Sequence, residues 1–490
     1  MKSHAKATLA TLVWMLAALT VHADSMLAIE ALQRYPWDGM VDLQCHVSNP
    51  YGASLQSFTA TDEATGTTFP AKTLLTPVGT TVAEGDYLPA GDSRLVWNAA
   101  ADLPKGWKSD RMTLTGEIRN YQTVVFNTST YSSDGRQTFL SATAFSGNEV
   151  TYEVLSGPGT LDGNALTFTG GGVVVIRATQ TGDGDWMPAS ATNTLTAPYM
   201  VVDLSGGSGA SSYPVTYLGS APSGGLNKDA YKKTQIALRR IGEGTFMMGS
   251  PTNELGRSSG GFSPRETQHK VTLTKPYYIG VFEVTQTQWR QVTGQAMKTN
   301  ALMPAYSKEP YYSTGVVGYY GSIRGTNAGA KWPSSNAVDA GTFMGKLRSK
   351  TGVTFDLPTE AQWEYACRAG TTTALNSGKN LTDTGSCGNL AALGRYYYNG
   401  GGFVQMAVVG SYKANAWGLY DMHGNVAEVC LDWVKNDLGG SPMTDPVGPG
   451  SGSERIARGG GADDAAGNCR SAGRRMPCGP WGFRLACPAQ

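Results

Sequence analysis

The chain has 490 residues, with 39 Lys and Arg against 38 Asp and Glu, a net charge of +1 and only 16% charged residues. That balance supplies no basic footprint for nucleic acid and no acidic tail, and the length suits two to four domains. The 63 glycines, 23 tyrosines and 11 tryptophans suit loop-rich β structure with tight turns better than helix bundles.

Residues 1–23 carry Lys2 and Lys6, then an apolar run from about Leu9 to Val21, and end in Val21-His22-Ala23. A charged start, a short apolar run and a small-x-small end read as a secretory signal peptide. The alternative is an uncleaved anchor. No later stretch approaches the roughly 18 uninterrupted apolar residues of a membrane helix. The expectation is a secreted or cell-surface protein with no membrane span after cleavage.

Residues 24–119 alternate in strand fashion. Val41, Leu43, Cys45 and Val47 share one face, as do Met112, Leu114, Gly116 and Ile118, which predicts an antiparallel β-sandwich. In residues 120–198 short β runs are separated by Gly-Pro, Asp-Gly and Gly-Gly turns. This stretch resembles the bacterial immunoglobulin-like modules of secreted proteins, which implies a spacer or an adhesive arm. Residues 199–236 open with a short apolar strand and become Gly- and Ser-rich, as expected of a linker that in part packs on the next domain.

From residue 237 to 490 helical patterns enter. Phe343, Met344 and Leu347 fall on one face of a segment over 339–350. Trp363, Ala366 and Cys367 do the same over 359–369, with Thr359 and Gln362 placed as a capped start. Long loops without periodicity lie between, so a mixed α+β domain with little regular secondary structure is expected. Its densest stretch is Gly418–Trp433, where Asp421, Asn425, Glu428 and Asp432 offer hard oxygens around the turn at Gly424. Such a set has the composition of a calcium cage; the other reading is a polar turn between two core segments. Of seven cysteines, only Cys45 lies before residue 367. That distribution points to disulfides in an oxidising compartment, or else to buried thiols, and no CxxC pair suggests zinc.

The motifs RIGEGTFMMGSP (240–251), ETQHKVTL (266–273), YYIGVFEVTQTQW (277–289), LPTEAQWEYACRAGTTT (357–373), GLYDMHGNVAEVC (418–430), RGGG (458–461), CRSAGR (469–474) and GFRLA (482–486) occur in that order. Together they resemble the formylglycine-generating enzyme, or sulfatase-modifying factor, domain. The resemblance implies a C-type-lectin-like fold held by structural Ca²⁺, with ligands at Asp421, Gly424, Val426 and Glu428 and a second site beginning at Asn389. It also implies a disulfide between Cys367 and Cys487.

The family's oxidase binds copper(I) through two cysteines five apart, shortly after the glycine segment, because soft thiolates suit that ion. Here Asp463, Asp464, Ala465 and Ala466 occupy that region and Cys469 stands alone, so copper is not expected. A related branch uses iron on three histidines of a helical bundle, whereas His46, His269 and His423 are scattered here. These departures favour a binding protein. Its ligand, a protein or glycan, would be met by the loop 462–468 and the segment 473–481, with Ala462, Asp463, Asp464, Asn468, Arg475, Met476 and Trp481 as contact residues.

Two alternatives stand beside that reading. One is an active formylglycine-generating or non-haem metal oxygenase. The other is a variable protein of a diversity-generating retroelement, whose rewritten surface lies between RGG and GFR segments like those at 458–460 and 482–484.

Overall fold

The protein is seen in a computed structural model that describes residues 4–10, 27–34, 38–107, 109, 111–260, 264–295, 302–305, 322–325, 337–401, 405–476 and 481–489. Its first part is two facing sheets. One runs His4–Ala10, Arg111–Asn120, Ala53–Asp62, Thr68–Pro70, and the other Leu27–Gln33, Met40–Val47, Gly91–Asn98, Leu74–Leu75, Thr81–Val82. Alternation along Met40–Val47 puts Val41, Leu43, Cys45 and Val47 into a core shared with Leu55, Phe58, Leu114 and Ile118 of the facing sheet. Gly116 lies under side chains of the facing sheet. A Cβ there would stand 2.8 Å from Leu27 Cδ2 and 2.9 Å from Ile29 Cδ1, which is why a strand interior carries glycine. His4–Ala10, inside the stretch read as a leader, pairs antiparallel with Arg111–Asn120 at the sheet edge.

Asn120 ends this unit. Its N–H and side-chain amide both donate to Asp185 O, at 2.7 and 3.2 Å, which ties it to the second unit. That unit is built from small antiparallel sheets around Leu140, Leu166, Phe168, Val174, Ile176 and Ala197.

The third unit starts earlier than the sequence suggests. Tyr199–Asp203 lies between Val215–Leu218 and Gln235–Ile241, in a sheet that continues to Tyr277–Gly280 and Ala486–Pro488. Met200, Val202, Leu204 and Tyr213 belong to its main core, so much of the expected linker 199–236 is integral. The joint with the second unit is also bonded. Gly219 N–H donates to Gly135 O and Ser223 N–H to Ser133 O, both at 2.8 Å. Tyr278 Oη donates to Ala197 O at 2.7 Å, and Tyr217 packs against both cores.

Three helices of the third unit begin on side-chain caps, of which the sequence pattern predicts only Thr359 with Gln362. Gln286–Thr293 and Glu360–Arg368 carry capping boxes, Thr285 with Gln288 and Thr359 with Gln362, and Phe343–Thr351 is capped by Thr342. Regular structure is otherwise sparse. In its place run buried ion pairs: Arg324 with Asp356, Arg458 with Glu364, Arg470 with Glu254 and Glu266, Arg474 with Glu360, and Arg484 with Glu428. These arginines join loops distant in sequence, such as Arg470 to Glu266 at 2.7 and 2.8 Å.

Candidate functional site

The loop before the strand Ala427–Trp433 turns through positive φ at Asp421 (56°), Gly424 (90°) and Asn425 (67°). Gly424 is required there, since a Cβ would stand 2.0 Å from Arg395 O. Asn425 bonds through both ends of its amide, accepting from Ala407 N–H at 2.8 Å and donating to Glu283 Oε2 at 2.7 Å. Val426 N–H donates to Glu283 Oε1 at 3.2 Å. Glu283 is thus a central residue beneath the loop that motif reading missed. Its only sequence signal is a lone acid inside the apolar run Tyr277–Val284.

Three buried carboxyl groups meet here. Burial, then the charges of Asp421 and Glu428, hold Glu283 well above its ordinary value. Asp421 is pushed up to about 6, chiefly by burial, with Glu428 adding to the rise. Asp421 Oδ2 accepts from Gly410 N–H at 2.6 Å, whereas its Oδ1 is buried without a partner. Glu428 is fully engaged: Trp363 Nε1–H donates to it at 2.7 Å, and Arg484 donates from Nε and Nη2 at 2.7–3.2 Å.

Of the expected calcium ligands, Glu428 is already taken. A dication needs six to eight oxygens with lone pairs free. Glu428 has given its own to a guanidinium and an indole, and the guanidinium beside it repels a second positive charge. Among the described residues no group of three or more His, Cys, Asp or Glu side chains is placed to hold a metal ion. Asn389, the expected start of a second site, donates its amide to Asn380 O at 2.9 Å.

His423, next to the turn, is also locked. Its Nδ1–H donates to Cys469 O at 2.7 Å, and its Nε2 accepts from Asn376 N–H at 3.0 Å. A carbonyl can only accept and an N–H only donate, so one neutral tautomer satisfies both. Burial lowers the ring to about 4.

The expected contact segment folds inward for much of its length. Ala462, Asp464 and Trp481 are buried, Asp463, Arg475 and Met476 are half-buried, and Asn468 is exposed. Asp464 organises the turn. Its Oδ2 accepts from Gly461 N–H at 2.7 Å, its Oδ1 from Asn468 Nδ2 at 3.0 Å, and it pairs with Arg475. Trp481 belongs to the main core, beside Ala427 in a parallel pairing. As contact residues Ala462, Asp464 and Trp481 are therefore corrected. Small and acidic residues look like a solvated loop, yet here the Gly461 N–H and the Asn468 amide need the carboxylate and the strand needs the indole. Residues 477–480 lie outside the described residues.

The disulfide is corrected as well. Cys45, Cys367, Cys387, Cys430, Cys469 and Cys487 are all buried free thiols. Cys367 Sγ lies 3.7 Å from Met422 O and Ser471 Oγ, in one apolar cluster, whereas Cys487 pairs with Tyr278 in another. Burial pushes the thiols of Cys367 and Cys469 up to about 12.

The sheet, the capped helices and the Gly-Asn turn over a buried glutamate define a formylglycine-generating-enzyme type of domain. Residues 225–487 match the sulfatase-modifying factor enzyme 1-like domain, and the chain belongs to that family. Over 109 residues it is 40% identical to the formylglycine-generating enzyme of Streptomyces coelicolor, covering 21% of this chain and 35% of that protein. Over 134 residues it is 38% identical to the enzyme of Thermomonospora curvata, covering 26% and 41%. The chain thus spans about two fifths or less of the length of these two relatives. Among solved structures it is similar to Treponema denticola variable protein 1, at 26% identity over 52% of this chain and 96% of that one, with a TM-score of 0.38. The PvdO structure from Pseudomonas aeruginosa gives 24% identity over 51% and 94%, also with a TM-score of 0.38.

Proposed function

We propose that the chain is a secreted or surface-displayed binding protein whose family domain has no formylglycine-generating activity. The observation that carries this reading is the state of Cys469. Its thiol is fully buried, pushed up to about 12 by burial, and packed so closely that a Cβ on Gly460 would stand 2.7 Å from its sulfur. A copper(I) site needs two thiolates within reach of one ion. Here the neighbouring positions are Asp463 and Asp464, the latter tied to the Gly461 N–H. The sandwich and the immunoglobulin-like module before the domain serve as its arms in this reading. The ligand, protein or glycan, meets the parts of 463–476 that remain at the surface, namely Asp463, Asn468, Arg475 and Met476.

The test is an incubation with copper(I) and a sulfatase-motif peptide, read by mass spectrometry. No formylglycine is expected. A copper-dependent product that disappears in Cys469→Ser would restore the enzyme reading. Calcium stays outside this proposal because Arg484 already neutralises Glu428. A chelator should leave the melting temperature unchanged, since an ion stabilises a fold only by binding it; a drop reversed by added calcium would return the ion to the loop.

A further inference from the structure

A cavity of about 280 Å³ lies between the strand His269–Leu273, the helix Glu360–Arg368 and the segment 443–449. It is separate from the loop and the C-terminal segment discussed above. We propose that it binds a small, neutral, largely apolar molecule that ends in a hydroxyl group.

Its walls are apolar: Met248, Ala361, Leu438, Met443 and Val447 line it. A cavity of ~150 Å³ holds benzene, so this one has room for roughly a dozen non-hydrogen atoms. Gly448 presses the roof onto the floor; a Cβ there would stand 2.8 Å from Asp432 Cβ and 3.0 Å from its Oδ1.

The polar end is built from three buried side chains. His269 is 2% exposed, and its Nδ1 lies 2.9 Å from Thr267 O. A carbonyl only accepts, so Nδ1 carries the proton, and in the neutral ring Nε2 is a bare lone pair. That atom is buried without a partner. A buried acceptor left unmade costs free energy, and a donor supplied by a ligand in the cavity satisfies it. Asp432 also lines the cavity, with Oδ2 accepting from Glu360 N–H at 2.8 Å. Burial, then the charge of Glu360, pushes its carboxyl up to about 7, so near neutral pH it has a protonated population that can donate. Glu360 itself is taken by Arg474, at 2.5 and 2.9 Å, and adds no free negative charge.

The end of the cavity therefore presents one acceptor and one donor. A hydroxyl both donates and accepts, and meets both. An ammonium only donates, and Lys435, exposed at the rim, repels it. A carboxylate only accepts, and leaves His269 unsatisfied.

The test titrates the full chain with 2-naphthol, naphthalene and 2-naphthylmethylammonium, by fluorescence and calorimetry. Saturable one-to-one binding of 2-naphthol is expected, with naphthalene at least about tenfold weaker for want of the hydroxyl's two hydrogen bonds. His269→Leu should weaken 2-naphthol several-fold, towards the affinity of naphthalene, and leave naphthalene unmoved. Val447→Trp should abolish both; Val447 is only half-buried at the rim, so this variant stays informative even if His269→Leu does not fold. Absence of saturable 2-naphthol binding, or binding indifferent to Val447→Trp, overturns the site. Naphthalene or the ammonium binding as tightly as 2-naphthol overturns the hydroxyl assignment.

Discussion

At Arg484 one guanidinium closes three chain segments, donating to Glu428, to Gly280 O at 2.8 Å and to Tyr420 O at 2.8 Å. Removing it leaves Glu428 charged, buried and held only by Trp363. Breaking a buried pair from one side typically costs about 3–5 kcal/mol, so Arg484→Leu should lower stability by that order in urea unfolding. Replacing both partners by apolar groups should cost less. The buried acids also set a pH dependence. Asp432 is raised from 3.8 to about 7 by burial and then by Glu360. The folded state thus keeps a proton that the unfolded chain gives up. Its contribution is complete below about pH 4 and is lost as pH rises through 7. His423 works in the opposite direction: lowered from 6.5 to about 4 by burial, it contributes above pH 6.5 and is lost as pH falls towards 4. Asp432→Asn should reduce the decline in urea midpoint between about pH 4 and 7, leaving the share of Asp421, which is raised to about 6, and the acid limb due to His423. A decline unchanged in the variant would clear Asp432 of the effect. None of this was legible in the sequence. Which carboxyl is buried, and beside which arginine, depends on segments as far apart as Glu283 and Asp421.

The helices tell the reverse story, because their signals are local. Thr359 and Gln362 sit three apart before an apolar face, and the structure forms the reciprocal bonds at 3.2 and 2.9 Å. Thr359→Ala should cost about 1 kcal/mol, measurable by equilibrium unfolding, whereas Thr359→Ser should cost much less. The strand Met40–Val47 was equally readable, since period-two alternation needs no partner to be seen. The segment 462–468 was not. Its residues are those of a solvated turn, and only the strand and turn around it show that Asp464 is taken by the Gly461 N–H, the Asn468 amide and Arg475. Cys367 and Cys487 were paired by resemblance alone; their packing into different cores is a long-range fact that no spacing encodes.

For the molecule as a whole, the decisive surprise is where the last domain begins. Tyr199–Asp203 is an interior strand of its sheet, flanked on both sides. A fragment starting at residue 237 loses Met200, Val202, Leu204 and Tyr213 from the core, each worth roughly 1.5–3 kcal/mol on full burial. That fragment should be unfolded or aggregated by circular dichroism and gel filtration, whereas one starting at 199 should melt cooperatively. Equal behaviour of the two would contradict the sheet order. The Gly- and Ser-rich composition around 205–212 concealed this, because turn-forming residues serve a tight connection between strands as readily as a free tether.

The joint between Gly135 and Gly219 has a mechanical meaning as well. A tether would let the last domain swing towards whatever it meets and would absorb any pull as slack. Here the backbone bonds from Gly219 and Ser223, and Tyr278 bonded to Ala197, leave little slack to take up. A force on the last domain reaches the module before it as torque, and the direction in which the last domain faces is fixed when the chain folds.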